Sequence, residues 1–246
     1  NSLTLLFLED LSRLEEEAQK VKLVALGRLT ANIAHEIRNP LSAITHAADL
    51  MAEENRAQGR ERLSRIIRDN AHRLDRMVRD VLELNRRDRV LPEAIPLADF
   101  VTSFMAEFTQ YEKAVPEGFI LDIPADAVVE FDRVHMNQIL WNLVRNAWRH
   151  SSRGPGSVIV RAETSAGRLE LHVRDDGPGV PPELQGQLFE PFFTTFSKGT
   201  GLGLYIAREL AAANGVLLDY AAPPPGEPGA DFRLRWSSRT STPLPR

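Results

Sequence analysis

Apolar positions recur at helical spacing through the first third of the chain. Between residues 11 and 21 they step by three and four residues, which is the seam spacing of a coiled coil. An apolar stripe then continues from Leu26 to about Met51. The pattern predicts one long amphipathic helix.

A second helix follows the polar segment 52–61, which contains a glycine and is typical of a turn. Its heptad seam comprises Leu63, Ile67, Asn70, Leu74, Met77, Val81 and Leu84. Two long amphipathic helices joined by a short loop form an antiparallel hairpin. Because a hairpin alone cannot cover both apolar stripes, we expect it to dimerise into a four-helix bundle, with Asn70 helping to fix the register.

The pattern changes at 91–96, where Pro92 and Pro96 indicate a linker. Strand and helix patterns then alternate. Helices are predicted at 97–111, 132–150 and 202–214, and strands near 118–123, 127–131, 157–163, 168–174, 216–221 and 231–236. The order predicts an α+β domain in which helices cover one face of a single mixed sheet.

The composition of the chain argues against several classes of function. The 246 residues suffice for one large or two modest domains, and a net charge of −4 provides no electrostatic footprint for nucleic acid or an anionic membrane. The absence of cysteine excludes disulfides, thiolate metal sites and thiol catalysis. The chain has no apolar run long enough to span a bilayer and no signal peptide at its start. Without an initiator Met, it is expected to be a fragment of a longer protein.

The stretch HEIRNPL, residues 35–41, places His35 and Asn39 on one helix face, with Glu36 beside the histidine. His35 falls off the apolar stripe, so it should point outward. An exposed imidazole with a neighbouring carboxylate suits a nucleophile that must lose a proton, although a lone histidine is more often an ordinary surface residue. Pro40 cannot donate to the carbonyl of Glu36, and we expect it to break the helix there.

Asn142 and Asn146 lie four residues apart on one face of the predicted helix 132–150. Paired carboxamides suit hydrated Mg²⁺, which prefers oxygen ligands, and ordinary polar helix surface is the alternative reading. In VRDDGPGV, Asp175 ends a strand, and Gly177 and Gly179 permit a close backbone approach. A carboxylate there can accept a hydrogen bond from the amine of adenine, yet such a segment alone is a plain turn in most proteins.

Residues 198–204, KGTGLGL, form a glycine-rich segment that enters a helix, after the aromatic run LFEPFFTT at 188–195. Backbone N–H groups at such a junction bind phosphates. The spacing does not fit the GxGxxG dinucleotide fingerprint, and the segment follows a loop rather than a first strand. Alone, the segment is weak evidence, and the order of all the motifs decides its meaning.

HEIRNPL resembles the H-box of bacterial two-component sensor histidine kinases, and residues 11–90 resemble their dimerisation and phosphotransfer domain. Paired Asn, Asp-x-Gly-x-Gly, a phenylalanine box and GTGLGL then follow in the order of the N, G1, F and G2 boxes of the kinase catalytic domain. This second resemblance covers residues 92–236. It implies the GHKL-type ATP-binding fold, a two-layer α/β sandwich shared with gyrase and Hsp90 ATPases.

The resemblance also implies roles for individual residues. His35 would receive the γ-phosphoryl group of ATP, Glu36 would act as general base, and Asn39 would orient water when a phosphorylated regulator is hydrolysed. Asn146 would be the principal Mg²⁺ ligand, with Asn142 near the phosphates. The remaining cofactor-binding positions would be Arg149, Asp175, Gly177, Gly179, Lys198, Gly199, Thr200, Gly201, Leu202 and Gly203.

The implied organisation is a remnant of an upstream sensor domain at 1–10, the helical hairpin at 11–90, a linker at 91–96, the catalytic domain at 97–237 and a flexible tail at 238–246. The expected partners are a second copy of the chain and the receiver domain of a response regulator, with no nucleic acid and no membrane contact by this fragment. The expected location is cytoplasmic, including the cytoplasmic part of an inner-membrane sensor. Within the family, the chain is most similar to sensors paired with nitrogen-regulation-type activators, including pilus-regulating sensors.

Three positions depart from the family pattern. Phe196 stands where many relatives have Lys, ANGV at 213–216 replaces the usual HGG, and Asp176 replaces a common Asn and adds negative charge near the adenine site. Two other function classes stay open: an ATPase that clamps or moves without a phosphoprotein, and a non-catalytic dimer that relays conformation. The H-box argues against the first, and intact Asn146 and Asp175 argue against the second.

Overall fold

The computed structural model describes residues 11–84, 90–165, 167–196, 199–223 and 228–236. The proposed sensor remnant at 1–10, the tail at 238–246 and Lys198 lie outside these residues. The chain separates into two compact units, Asn1–Asp75 and Arg76–Arg246.

The first unit contains a helical hairpin, as the heptad pattern predicted. Helix α1 is Leu11–Glu53 and helix α2 is Ala57–Leu84, whose last residues belong to the second unit. The turn is shorter than predicted because Glu54 organises it: its carboxylate accepts the N–H of Arg56 at 2.8 Å, and its carbonyl accepts the Arg60 Nε–H at 2.7 Å. Across the described part of the chain, no helix has the length and apolar character needed to cross a bilayer.

Pro40 does not break α1, so that prediction is wrong. The helix runs without interruption from Leu11 to Glu53, and Pro40 is buried within it. Proline removes only one hydrogen bond of the ladder, and the many remaining bonds keep a helix this long continuous. The exposure of the His35 turn therefore does not depend on a break in the helix.

The second unit alternates strands and helices almost where the pattern predicted them. Its strands are β1 (Pro92–Pro96), β2 (Phe119–Asp122), β3 (Val128–Asp132), β4 (Val158–Ser165), β5 (Arg168–Asp175), β6 (Leu217–Ala221) and β7 (Asp231–Arg235). Its further helices are α3 (Leu97–Glu112), α4 (Arg133–His150), the short α5 (Pro182–Gln185) and α6 (Gly203–Ala213).

The strands form two sheets rather than the single predicted one. Five strands have the order β2-β4-β5-β7-β6, in which β2 and β4 are parallel and the other neighbours antiparallel. The segment expected as a linker forms β1, which pairs antiparallel with β3 from Pro92↔Asp132 to Pro96↔Val128. Its prolines lie at the two ends of a strand in a two-stranded sheet, where proline is tolerated because few ladder bonds are lost.

One face of the five-stranded sheet packs against helices and the other carries charge. Along β5, Leu171, Val173 and Asp175 are buried, whereas the alternate residues are partly exposed. Trp141 of α4 packs against Phe104 of α3, with ring centroids 5.6 Å apart. The two-layer α/β sandwich is thereby confirmed, and Asp175 reaches the helix-covered side at the end of its strand.

Candidate functional site

The predicted phosphoacceptor turn lies on α1. His35 and Asn39 are both exposed, one helical turn apart. Glu36 is only partly exposed, because its side chain turns toward α2, where its Oε2 lies 3.4 Å from Nη2 of Arg73. The turn therefore presents an accessible imidazole beside a carboxylate that already has a cationic partner.

Asp175 has one satisfied and one unsatisfied carboxylate oxygen. Oδ1 accepts the backbone N–H of Gly177 at 2.9 Å and that of Ala230 at 3.3 Å. Oδ2 is buried and has no hydrogen-bond partner among the described residues. Burial raises the pKa of this carboxyl above its ordinary value, and the two backbone N–H groups oppose the shift. An immobilised acceptor without a donor is an arrangement that a ligand can complete.

The glycines of the G1 and G2 segments leave no room for a side chain. A Cβ on Gly177 would lie 2.4 Å from the carbonyl oxygen of His150, and one on Gly179 would lie 2.8 Å from that of Gly229. Gly201 has a φ of +71° and would place a Cβ 2.3 Å from the carbonyl carbon of Phe192. These close approaches bring the end of β5 against α4, and the glycine-rich segment against the phenylalanine box.

Helix α4 is anchored at its start and presents its amides further along. The buried Asp132 caps the helix by accepting the N–H groups of Val134 and His135 at 2.9 and 3.0 Å. Asn142 lies at the start of α6: its Oδ1 is 3.0 Å from where a Cβ on Gly203 would be. The Nδ2 of Asn142 is buried and has no partner in the described part of the chain. Asn146 is partly exposed one turn later.

Arg149, near the end of α4, contributes positive charge close to the glycine-rich segment. Its guanidinium lies over the ring of Phe196, with Cζ 4.5 Å from the ring centroid. Burial lowers the pKa of Arg149, and the positive charges of Arg145, Arg76 and Arg153 lower it further, against the raising effect of Glu112. Several arginines thus share one neighbourhood, an arrangement that an anionic ligand would stabilise.

The glycine-rich segment makes contacts that the sequence did not indicate. The Thr200 hydroxyl donates to Oδ2 of Asp80 at 2.7 Å, near the end of α2 and within the second unit. The side chain of Leu202 is fully buried in the core, so only its backbone is available to a ligand. Gly199 approaches Thr194, whose Oγ1 would lie 2.7 Å from an added Cβ.

The departures at Asp176 and at ANGV have structural explanations. Asp176 accepts the N–H and the hydroxyl of Ser152 at 2.8 and 2.6 Å, so its charge holds the loop after α4, and the Ser152 hydroxyl lowers its pKa. Asn214 accepts the Asp132 N–H at 2.9 Å and donates to the Leu210 carbonyl at 2.8 Å. It also lies 3.0 Å from Nδ1 of the buried His135.

Sequence reasoning missed Arg73, Asp80 and the backbone at Gly229–Ala230. Arg73 and Asp80 lie in a helix rich in charged residues, where the heptad pattern marks only the seam. Ala230 and Asp175 lie 55 residues apart in the sequence. They meet because β7 pairs with β5, a proximity that only the sheet topology creates.

Family comparisons agree with this architecture. Residues 25–89 match the His Kinase A (phospho-acceptor) domain. Residues 131–240 match the histidine kinase-, DNA gyrase B- and HSP90-like ATPase family. The chain belongs to the sensor histidine kinase family. This confirms the resemblance drawn from the H-box and from the order of the N, G1, F and G2 boxes. The family that residues 131–240 match is one of ATP-binding domains.

Individual sensor kinases extend the match to nearly the whole chain. This chain is 40% identical over 238 residues to the sensor protein kinase PilS of Pseudomonas aeruginosa, and the alignment covers 95% of this chain and 44% of that protein. It is 34% identical over 213 residues to the sensor histidine kinase ZraS of Klebsiella oxytoca, covering 85% of this chain and 46% of the relative. The chain thus spans less than half the length of these relatives.

Among solved structures, histidine kinase ThkA in complex with response regulator protein TrrA superposes with a TM-score of 0.72 and 26% identity, over 97% of this chain and 69% of that one. The histidine kinase AdeS of Acinetobacter baumannii has a TM-score of 0.60 at 22% identity, over 83% of this chain and 98% of that one, and supports the fold alone.

Proposed function

We propose that this chain is the catalytic portion of a sensor kinase that transfers the γ-phosphoryl group of ATP to His35 and then to an aspartate of a response regulator. The single observation that carries the proposal is the buried Oδ2 of Asp175 at the end of β5, which has no hydrogen-bond partner within the described part of the chain. It combines with an exposed histidine in the H-box of α1.

Asp175 selects adenine. Leaving a buried acceptor without a donor costs about 1–3 kcal/mol, which a ligand N–H recovers. Adenine presents an exocyclic amine at its six-position, whereas guanine presents a carbonyl that would face a carboxylate. Because Oδ1 is already held by Gly177 and Ala230, Oδ2 has a fixed position, and the site discriminates between the two bases.

The triphosphate lies along α4 and the glycine-rich segment. The Nδ2 of Asn142 is a hydrogen-bond donor without an acceptor in the portion of the chain that the structure describes, which suits a phosphate oxygen, and Arg149 supplies positive charge. The carboxamide oxygen of Asn146 is the hard ligand that Mg²⁺ prefers. When bound, Mg²⁺ would neutralise part of the phosphate charge. Phosphoryl transfer depends mainly on such charge neutralisation and on positioning of the reacting groups.

Phosphorylation takes place at His35. An imidazole nitrogen forms the bond to the γ-phosphorus while the bond from that phosphorus to the bridging oxygen of ADP breaks. Glu36 accepts the imidazole proton. Asn39, exposed one turn later, orients the water that hydrolyses the phosphorylated regulator in the reverse, phosphatase direction.

A second copy of the chain and a receiver domain are the proposed partners. The hairpin helices leave large apolar side chains exposed, which a two-chain bundle would cover: Leu41, Leu50, Val78 and Leu82. A response regulator is the partner in the complex of ThkA with TrrA.

Incubation with γ-labelled ATP tests the proposal. We expect acid-labile, base-stable label on the unmodified chain and on His46→Gln, which alters another exposed histidine of α1, but none on His35→Gln. Asp175→Asn should lose most of the labelling and ATP binding. Equal labelling of His35→Gln contradicts the assignment, and ATP hydrolysis without any phosphoprotein would identify a clamp-type ATPase instead.

A further inference from the structure

The ion pair between Arg73 and Glu36 connects the two helices of the hairpin at the phosphoacceptor turn. Nη2 of Arg73 lies 3.4 Å from Oε2 of Glu36, and the two side chains are 25% and 27% exposed. Glu36 immediately follows His35 in the sequence. The carboxylate nearest the nucleophile in sequence is thus held by a residue 37 positions away on the opposite helix.

Stability alone does not explain this pair. An ion pair that retains solvent contact contributes about 0–1 kcal/mol. The Nε of Arg73 is buried without a hydrogen-bond partner among the described residues, and an unsatisfied buried donor costs about 1–3 kcal/mol. An apolar residue at this position would avoid that cost. An arginine kept at a net energetic cost indicates a contribution other than folding.

We propose that Arg73 is a positioning residue for phosphoryl transfer, which holds the Glu36 carboxylate in the rotamer that accepts the proton of His35. This rests on the proposed function. A glutamate side chain has three rotatable bonds, so an unpaired Glu36 would spend much of its time away from the imidazole. The ion pair engages Oε2. In this proposal, Oε1 is the oxygen that takes the proton.

The pair also restrains the direction of approach. The Glu36 side chain reaches α2, whereas His35 is exposed. Held toward α2, the carboxylate does not compete with the anionic γ-phosphate for space. The positive charge of Arg73 also offsets repulsion between Glu36 and the phosphate.

The test compares Arg73→Gln, Arg73→Lys, Glu36→Gln and the double variant Glu36→Gln/Arg73→Gln in the 246-residue chain. Arg65→Gln is the matched control, because Arg65 lies on the same helix and pairs with the exposed Glu61 one turn away on that helix. The measurements are the rate of phosphohistidine formation at saturating Mg·ATP, the KM for ATP and the thermal unfolding midpoint.

We expect Arg73→Gln to lower the rate about 10- to 100-fold with an unchanged KM, since a general base contributes typically 10²–10⁴-fold. Arg73→Lys should recover part of the rate, because it restores the positive charge. It also provides the test where the Gln variant folds poorly. In the Glu36→Gln background, Arg73→Gln should cause no further loss. Arg65→Gln should behave as the unmodified chain.

Two results would overturn the positioning role while the kinase assignment stands. The first is a wild-type rate for Arg73→Gln. The second is an equal fractional loss with and without Glu36, which would show that the two residues act independently. If the unmodified chain forms no phosphohistidine, the proposed function itself fails, and the positioning role with it.

Discussion

The guanidinium of Arg149 lies over the ring of Phe196, with Cζ 4.5 Å from the ring centroid. The resemblance to histidine kinases places a lysine at position 196 in many relatives, where it would add a second cation. An aromatic ring instead attracts the existing cation and orders it. Where many relatives carry a lysine at this position, this chain therefore has a ring that orders the positive charge of Arg149.

Replacing Phe196 with leucine should weaken ATP binding by at least about two- to fivefold, because a cation–π pair contributes about 0.5–1 kcal/mol even at an exposed site and this pair is only partly exposed. Phe196→Tyr retains the aromatic face and should bind ATP as the unmodified chain does. Isothermal titration with a non-hydrolysable ATP analogue measures both. Unchanged affinity of the leucine variant would show that the ring does not order Arg149.

Removal of the Asp80 charge should strengthen ATP binding. Asp80 accepts the hydroxyl of Thr200 at 2.7 Å, so a carboxyl group lies beside a segment proposed to bind phosphate. Burial raises its pKa, and the Thr200 hydrogen bond and nearby arginines lower it. Asp80→Asn keeps an acceptor for Thr200 but removes the charge.

Repulsion between a carboxylate and a neighbouring phosphate is about 1 kcal/mol even at the dielectric constant of water and larger where the carboxylate is partly buried, so we expect Asp80→Asn to raise ATP affinity at least roughly fivefold. Adenosine carries no phosphate and provides the control, since its affinity should not change. A parallel gain for adenosine would indicate a rearranged pocket rather than relieved repulsion.

Asn214→Ala should destabilise the second unit. The substitution removes the acceptor of the buried Asp132 N–H and the donor to the Leu210 carbonyl. Loss of a buried partner costs about 1–3 kcal/mol, which lowers the melting temperature of a unit this size by about 2–4 °C per kcal/mol. Asn55→Ala, in the exposed turn between α1 and α2, should change it little. Differential scanning calorimetry would disprove the anchoring role if the two variants melted together.

The stability of the charged sheet face should depend on pH through His172. Its Nδ1 lies 3.0 Å from Oδ2 of Asp231. This hydrogen bond raises the pKa of His172 above its ordinary 6.5; burial opposes the shift, and the charges of Asp231, Glu163 and Glu170 add to it. Since the folded-state pKa is the higher one, the stabilisation is complete below pH 6.5 and fades as the pH rises through the folded value.

Urea unfolding of the unmodified chain and of His172→Asn at several pH values measures this contribution. The difference in free energy of unfolding should be largest at acidic pH and should shrink toward alkaline pH. His46→Asn, on the exposed surface of α1, is the control substitution. A difference that stays constant, or grows with pH, would contradict the assignment.

Much of the fold could be predicted because local spacing carries it. The strand and helix patterns anticipated β5 and α4 within about a residue, since burial on one side imposes a period of two or of 3.6. Proline was the main source of error. Its effect depends on what surrounds it, so Pro40 lies inside a continuous helix, and Pro92 and Pro96 bound a strand.

By itself, the sequence determined the element types, the family and the identity of the chemical groups: a histidine beside a carboxylate, paired amides, an aspartate before two glycines and a glycine-rich turn. These are local, because spacing along the chain decides which residues share a helix face or strand end. Only the tertiary structure decided which groups meet: Arg73 with Glu36, Phe196 with Arg149, and Ala230 with Asp175. Such contacts depend on how distant segments are paired, and periodicity holds no information about pairing.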